Sequence, residues 1–261
     1  MAESLRLASP LRHRCELCAA GDATLNSMPT WYRFHALSGH WSARAARSVL
    51  RAVLSFSVPA PKVITKPILF AVLAIRSVYY FLIRVFFCEP LFKAYCTEYG
   101  KHLHTGVRLH WVQGAGRLII GNNVRIDGKC NFFFAARYTE NPTLTIGDNS
   151  GVGNGCSFVV GRSITIGRHV RFGSNIQLFD TPGHPVEPLA RLHGQPARPE
   201  DVRPIVIGDN VWIGSSSIIY PGVVIGEDSV VAMGSVVVNS VPPKVVVAGN
   251  PARQIARVEA A

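Results

Sequence analysis

Acidic residues are scarce in this sequence: 16 Asp and Glu stand against 27 Lys and Arg, for a net charge of +11. That balance disfavours a binder of cations and suits phosphate-bearing ligands or an anionic membrane surface. The excess gathers early, where residues 1–66 hold nine Lys and Arg against Glu3, Glu16 and Asp22. No aromatic-and-basic recognition motif accompanies it, which argues against nucleic acid as a partner. Cysteine is also sparse. The six (Cys15, Cys18, Cys88, Cys96, Cys130, Cys156) lack the regular spacing of a disulfide framework, and the chain is too long and apolar to need one. A reducing compartment fits. "CELC" at Cys15–Cys18, with His13 nearby, has the spacing of half a zinc site, but no second pair follows at finger spacing, so no metal is expected. The first residues lack the charged, apolar and small-residue order of a signal peptide, and Met28 offers an alternative start. A cytoplasmic setting is the expectation.

What is abundant is apolar surface. Hydrophobic residues make up 48% of the 261, enough to bury a sizeable core. The run "ILFAVLAIRSVYYFLIRVFFC", Ile68–Cys88, is long enough at 21 residues to be tested as a membrane span. Two arginines count against a span. Arg76 sits mid-run, where a charge costs roughly 2.5 kcal/mol or more, and Arg84 lies eight positions on, about 80 degrees away around a helix. Both can share one face, so the run reads as a helix lying in the membrane interface, at the inner face of the cytoplasmic membrane, or else packing on protein.

Beyond "HTGVRLHW" the sequence beats in sixes. From Ile207 the blocks "IGDNVW", "IGSSSI", "IYPGVV", "IGEDSV", "VAMGSV" and "VVNSVP" each open on Ile or Val. A helix advances by roughly 240 degrees at that period and keeps no single apolar face, whereas three flat faces do. Three hexapeptides then close one triangular coil of 18 residues, stacked on its neighbour at about 4.8 Å. The signature of Ile-Gly followed by polar residues recurs at Ile120, Ile146, Ile166, Ile207 and Ile225, with separations of 26, 20, 41 and 18. One coil removed from each leaves 8, 2, 23 and 0. The 8 fall in "ARYTENPT", Ala136–Thr143, and the 23 between Phe179 and Ile205, opening on "FDTPGHP".

The combination of "TPGHPVEP", "PIVIGDNVWIGSSSIIYPGVVIGEDSVVAMGSVV" and "VPPKVVVAGNPARQI", spread over about residues 115–256, resembles the hexapeptide-repeat acyltransferases of the galactoside, maltose and nodulation-factor O-acetyltransferase branch. The resemblance implies an all-β fold, a left-handed parallel β-helix, here with an N-terminal α-helical, apolar extension. It implies acetyl-CoA as co-substrate, a saccharide acceptor, and a homotrimer with sites between subunits; the apolar preface suggests a surface polysaccharide or its lipid-linked precursor. By resemblance His184 is the catalytic base, a role imidazole chemistry allows independently, since an attacking hydroxyl must lose a proton. Asp180 and Glu187 are both in reach by sequence as its orienting partner. Asn131 and Trp212 match acceptor-site residues, and Asn131 stands at altered spacing. Gly214, Ser215, Gly234, Ser235 and Arg253 match the coenzyme groove, where Met233 and Asn239 depart from the family pattern. Ser215 is also the candidate oxyanion donor.

Three rivals stand beside this reading. A γ-class carbonic anhydrase shares the solenoid, but His184 and His193 are nine apart, with His169 further off, and do not match its ligand spacing. A non-catalytic scaffold would have no use for a 23-residue excursion. An acyltransferase of serine or a xenobiotic differs only in acceptor. The expected organisation is a basic segment 1–66, an apolar helical segment 67–105, a β-helix 106–243 with a loop at 180–204, and a tail 244–261.

Overall fold

The computed structural model describes residues 41–259. The "CELC" motif, His13 and Met28 lie outside the described residues. Two units are distinguished, residues 1–68 and 69–261. The first contains helix α1 (Trp41–Leu54) and the start of helix α2 (Lys62–Ile83).

In the second unit the chain continues from α2 through a π-helical turn, Arg84–Cys88, into α3 (Glu89–Tyr95). The helix Lys62–Tyr95 is long and apolar enough to cross a membrane, and α2 buries none of its residues. Arg84 opens the π turn, and its Nη1 donates to Glu89 Oε2 at 3.3 Å and to His104 Nδ1 at 2.8 Å. Lys93 meets the other oxygen of Glu89 at 2.8 Å. These contacts and the buried Phe92 tie the helical end to the first strands.

The rest is a grid of short parallel strands, three to a coil. The first coil is β1 (Glu98–Tyr99), β2 (His104–Thr105) and β3 (Trp111–Gln113); the second is β4 (Arg117–Ile120), β5 (Arg125–Ile126) and β6 (Asn131–Phe134). The third is β7 (Thr143–Ile146), β8 (Gly151–Val152) and β9 (Ser157–Val160); the fourth is β10 (Ser163–Ile166), β11 (Arg171–Phe172) and β12 (Gln177–Phe179). The fifth is β13 (Ile205–Ile207), β14 (Trp212–Ile213) and β15 (Ile218–Ile219); the sixth is β16 (Val224–Ile225), β17 (Val230–Val231) and β18 (Val236–Val237). First strands pair only with first strands, and likewise for the second and third, giving three flat parallel sheets. β19 (Val245–Gly249) adds to the second sheet in parallel, and β20 (Ala252–Arg257) folds back on it antiparallel.

The β-helix is thus longer at both ends than 106–243. Glu98 already pairs with Ile119, because Thr97 N donates to Leu118 O and starts the ladder, and at the far end Val246 pairs with Val230.

The opening residue of each hexapeptide points inward: Ile207, Ile213, Ile219, Ile225, Val231 and Val237 are all at most 1% exposed. Each adds roughly 1.5–3 kcal/mol of burial. The Ile-Gly turns work by stacking. At Gly208 an added Cβ would stand 2.7 Å from Glu227 N, so only hydrogen fits between coils. The next residue caps the neighbouring coil: Asp148 Oδ1 accepts from Asn122 N at 2.6 Å, and Asp209 Oδ1 from Arg168 N at 2.8 Å. The third residue, as at Asn123, Asn149, His169, Asn210 and Asp228, takes a positive φ near 55–60°, which favours Asn and Asp.

Candidate functional site

Strand register locates every interruption. The third sheet pairs Phe132, Phe158, Leu178 and Ile219 in turn, and the first pairs Leu144 with Ile164 and Ile164 with Ile205. From the second coil on, all surplus residues therefore lie at the corner where the third sheet hands over to the first. Eight interrupt between β6 and β7, two between β9 and β10, and 23 between β12 and β13. The long excursion carries helix α4 (Pro188–Leu192) and a 3₁₀ turn, Pro199–Asp201.

The three insertions meet at Gly161. A Cβ there would lie 3.0 Å from Val202 Cγ1, 3.1 Å from Tyr138 Cδ2 and 3.2 Å from Asp180 Oδ1. Asp180 fastens the joint: its carboxylate accepts from Gly161 N at 2.5 Å and Arg162 N at 2.7 Å, while its own carbonyl accepts from Arg203 N at 2.9 Å. Burial pushes its carboxyl above the usual carboxylate range, against the opposing pull of those backbone donors. Thr181, also buried, accepts from Gly183 N at 3.2 Å and turns the chain so that His184 stands exposed at the tip. Arg191 braces that tip from α4, its Nη1 donating to Pro185 O at 3.1 Å and Val186 O at 2.9 Å.

His184 lines an open cavity of about 450 Å³ with Tyr138, Val159, Thr181, Arg191 and Gln195. The first and third insertions thus share one hollow, with Val159 of β9 in its wall. Neither orienting candidate reaches the imidazole. Both oxygens of Asp180 are spent on backbone, and Glu187, exposed, faces Arg198 at 3.5 Å.

The other matched residues stand elsewhere. Trp212 points outward from the second sheet at 58% exposure, and Gly214 and Ser215 follow it at the corner between the second and third sheets. Ser215 Oγ accepts from Ser174 N at 3.0 Å, which leaves its hydroxyl hydrogen free to donate. Gly234 and Ser235 lie one coil on at the same corner. Gly234 is exposed, whereas Ser235 is buried with Oγ donating to Ala232 O at 2.6 Å, so only its backbone can meet a ligand. Arg253 is exposed on β20. Asn131 opens β6 on the third sheet, between Trp111 and Ser157, at the opposite end of the strand from the His184 corner. The chain therefore gathers two groups at two corners. His169, His184 and His193 are not clustered: among the described residues no group of three or more His, Cys, Asp or Glu is placed to hold a metal. The described cysteines are free thiols.

Four residues of this region escape the hexapeptide pattern: Arg137, Tyr138, Gly161 and Arg191. The spacing remainders 8, 2 and 23 hold the signal, once each is assigned to one of the three turns. A fifth, His110, lies under α3. Its Nδ1 accepts from Cys130 N at 3.1 Å, its Nε2 has no partner, and burial pushes its pKa down to about 4.

A parallel β-helix of hexapeptide coils with its breaks collected at one corner is a hexapeptide-repeat protein. Residues 204–238 match the family described as the hexapeptide repeat of succinyl-transferase. The chain is 36% identical over 139 residues to galactoside O-acetyltransferase of Escherichia coli, covering 53% of this chain and 63% of that protein. It is 41% identical over 88 residues to galactoside O-acetyltransferase of Lactococcus lactis, covering 34% and 40%. It spans less than two thirds of the length of these relatives. AntD, an N-acyltransferase from Bacillus cereus solved with dTDP and 3-hydroxybutyryl-CoA, shares the fold at 24% identity with a TM-score of 0.54, over 66% of this chain and 88% of that one. The chain is thus similar to hexapeptide-repeat acyltransferases over its β-helical part, and its solenoid is a left-handed parallel β-helix.

Proposed function

We propose that this protein transfers an acetyl group from acetyl-CoA to a saccharide hydroxyl, with His184 as general base. The observation that carries the reading is the convergence of the first and third insertions on one cavity that exposes His184. A saccharide hydroxyl in this cavity gives its proton to the imidazole as its oxygen attacks the thioester carbonyl. The oxyanion that forms accepts hydrogen bonds from fixed donors, among them the Ser215 hydroxyl. The carbon–sulfur bond then breaks, the imidazolium returns the proton to sulfur, and acetyl ester and coenzyme A leave. No covalent enzyme intermediate is required.

The assembly we infer is a homotrimer. His184 and the Trp212–Ser215 group occupy different corners of one coil, and a neighbouring copy would bring its second corner against this third one. Gly214, Ser215, Gly234 and Ser235 would line the coenzyme arm with backbone, and Arg253 would meet a coenzyme phosphate. Trp212 and Asn131 would hold the acceptor. Helix α2, apolar and without buried residues, would lie on the inner face of the cytoplasmic membrane, suiting a surface polysaccharide or lipid-linked acceptor.

Release of coenzyme A thiol from acetyl-CoA, assayed against neutral and anionic saccharides, serine and aminoglycoside acceptors, tests this reading. Acceptor-dependent release with saccharides and its loss in His184→Ala support it. Release only with serine or aminoglycosides overturns the acceptor; no release with any acceptor overturns the enzyme in favour of a scaffold.

A further inference from the structure

The wall of the His184 cavity is one-signed. That hollow adjoins a second of about 440 Å³, formed by Gln113, Gly114, Phe133 and the first insertion, and the two share Ala135 and Arg137. Two guanidinium groups, Arg137 and Arg191, line this double hollow, and no Asp or Glu does. Asp180, at the joint of the insertions, turns both oxygens to the backbone of Gly161 and Arg162. The contrast with the broad groove on the second sheet is direct: there the lining Arg125 is matched by Asp127 at 2.7 Å. Arg137 has no ion pair among the described residues, and its position is fixed by its neighbour, since Tyr138 packs over Gly161 at the joint of the insertions. Arg191 spends Nη1 on the loop carbonyls and keeps its other guanidinium donors.

We infer that the acceptor carries an anionic group, a phosphate or a carboxylate, beside the hydroxyl to be acylated, and that Arg137, assisted by Arg191, binds it. A guanidinium at the junction of the two hollows presents paired N–H donors to a phosphate or carboxylate. This rests on the proposed acetyl transfer and deepens it: the substrate class is an acidic or phosphorylated saccharide, and neutral glycosides are poor acceptors. Arg137 is a specificity-determining residue, and His184 keeps the proton transfer.

The test uses three matched probes, methyl glucoside, its 6-phosphate and methyl glucuronide, with the full chain. Binding is read by saturation-transfer NMR without acetyl-CoA, and turnover by thiol release with it. At least one anionic probe is expected to bind and react about tenfold or more better than the neutral one, a preference that shrinks with added salt. Arg137→Gln is expected to bring that ratio to within about threefold, and Arg137→Lys to retain part of it. The better of the two anionic probes distinguishes phosphate from carboxylate. Equal use of the neutral probe, or a preference that survives Arg137→Gln, overturns the inference and leaves acetyl transfer standing. Arg137-dependent anion binding with no thiol release from any acceptor does the reverse. Absence of any probe binding overturns the inference.

Discussion

The coils from Ile205 to Val237 and those from Arg117 to Phe179 are built from the same unit, yet they differ at one corner. The later coils repeat every 18 residues, as in Ile207 paired with Ile225, whereas the earlier ones step by 26, 20 and then 41. The three sheets are continuous across both regions, so the surplus costs the ladder nothing; it is expelled where the third sheet turns into the first. Across these coils the first two corners keep the six-residue step, and the third takes up the whole surplus. This is the division expected when functional loops are carried by a rigid frame.

That comparison can be broken at its regular end first. Ile219→Ala, which empties a fully buried site in the uninterrupted coils, should lower the unfolding free energy by about 2–5 kcal/mol in urea titration, with kcat unchanged below the transition. If activity fell in proportion while stability held, frame and site would not be separable.

A second effect distinguishes the start of the frame. His110 is held neutral by burial with a pKa near 4, below its unfolded value, so its contribution is complete above about pH 6.5 and is lost as pH falls towards about 4, up to roughly 3 kcal/mol. The urea midpoint should therefore drop on acidification, and His110→Asn should flatten that drop. At the interrupted corner, Gly161→Ala puts a methyl group 3.0–3.2 Å from Val202, Tyr138 and Asp180. It is expected to cost about tenfold in kcat/KM by displacing the cavity wall, while the melting temperature moves by no more than about 4 °C. The smallest effect concerns α2: Phe70→Asp, at an exposed position of its apolar surface, should weaken cosedimentation with anionic vesicles by about threefold to tenfold.

Much of this was legible in residue spacing. The β-branched residues at period six specify the inward face, and Ile-Gly followed by Asn or Asp specifies a corner that caps its neighbour. The remainders 8, 2 and 23 give the size of each insertion. Spacing places the 8 and the 23 but leaves the 2 unplaced, so the meeting of Tyr138, Gly161 and Asp180 emerges only with the register. The ion pair of Arg84 with Glu89 at the π turn likewise needs the structure to be seen. Asp180 looks in sequence like a partner for His184, but two backbone amides 18 and 19 residues before it claim its oxygens first.

The proposed transfer rests on His184, and the frame does not need that residue. Steady-state thiol release by His184→Ala, measured with the urea midpoint of the same preparation, tests this most directly. The expected result is a loss of about 10³-fold in kcat with an unchanged midpoint, as for removal of a general base from an exposed loop tip. Wild-type turnover in that variant would contradict it.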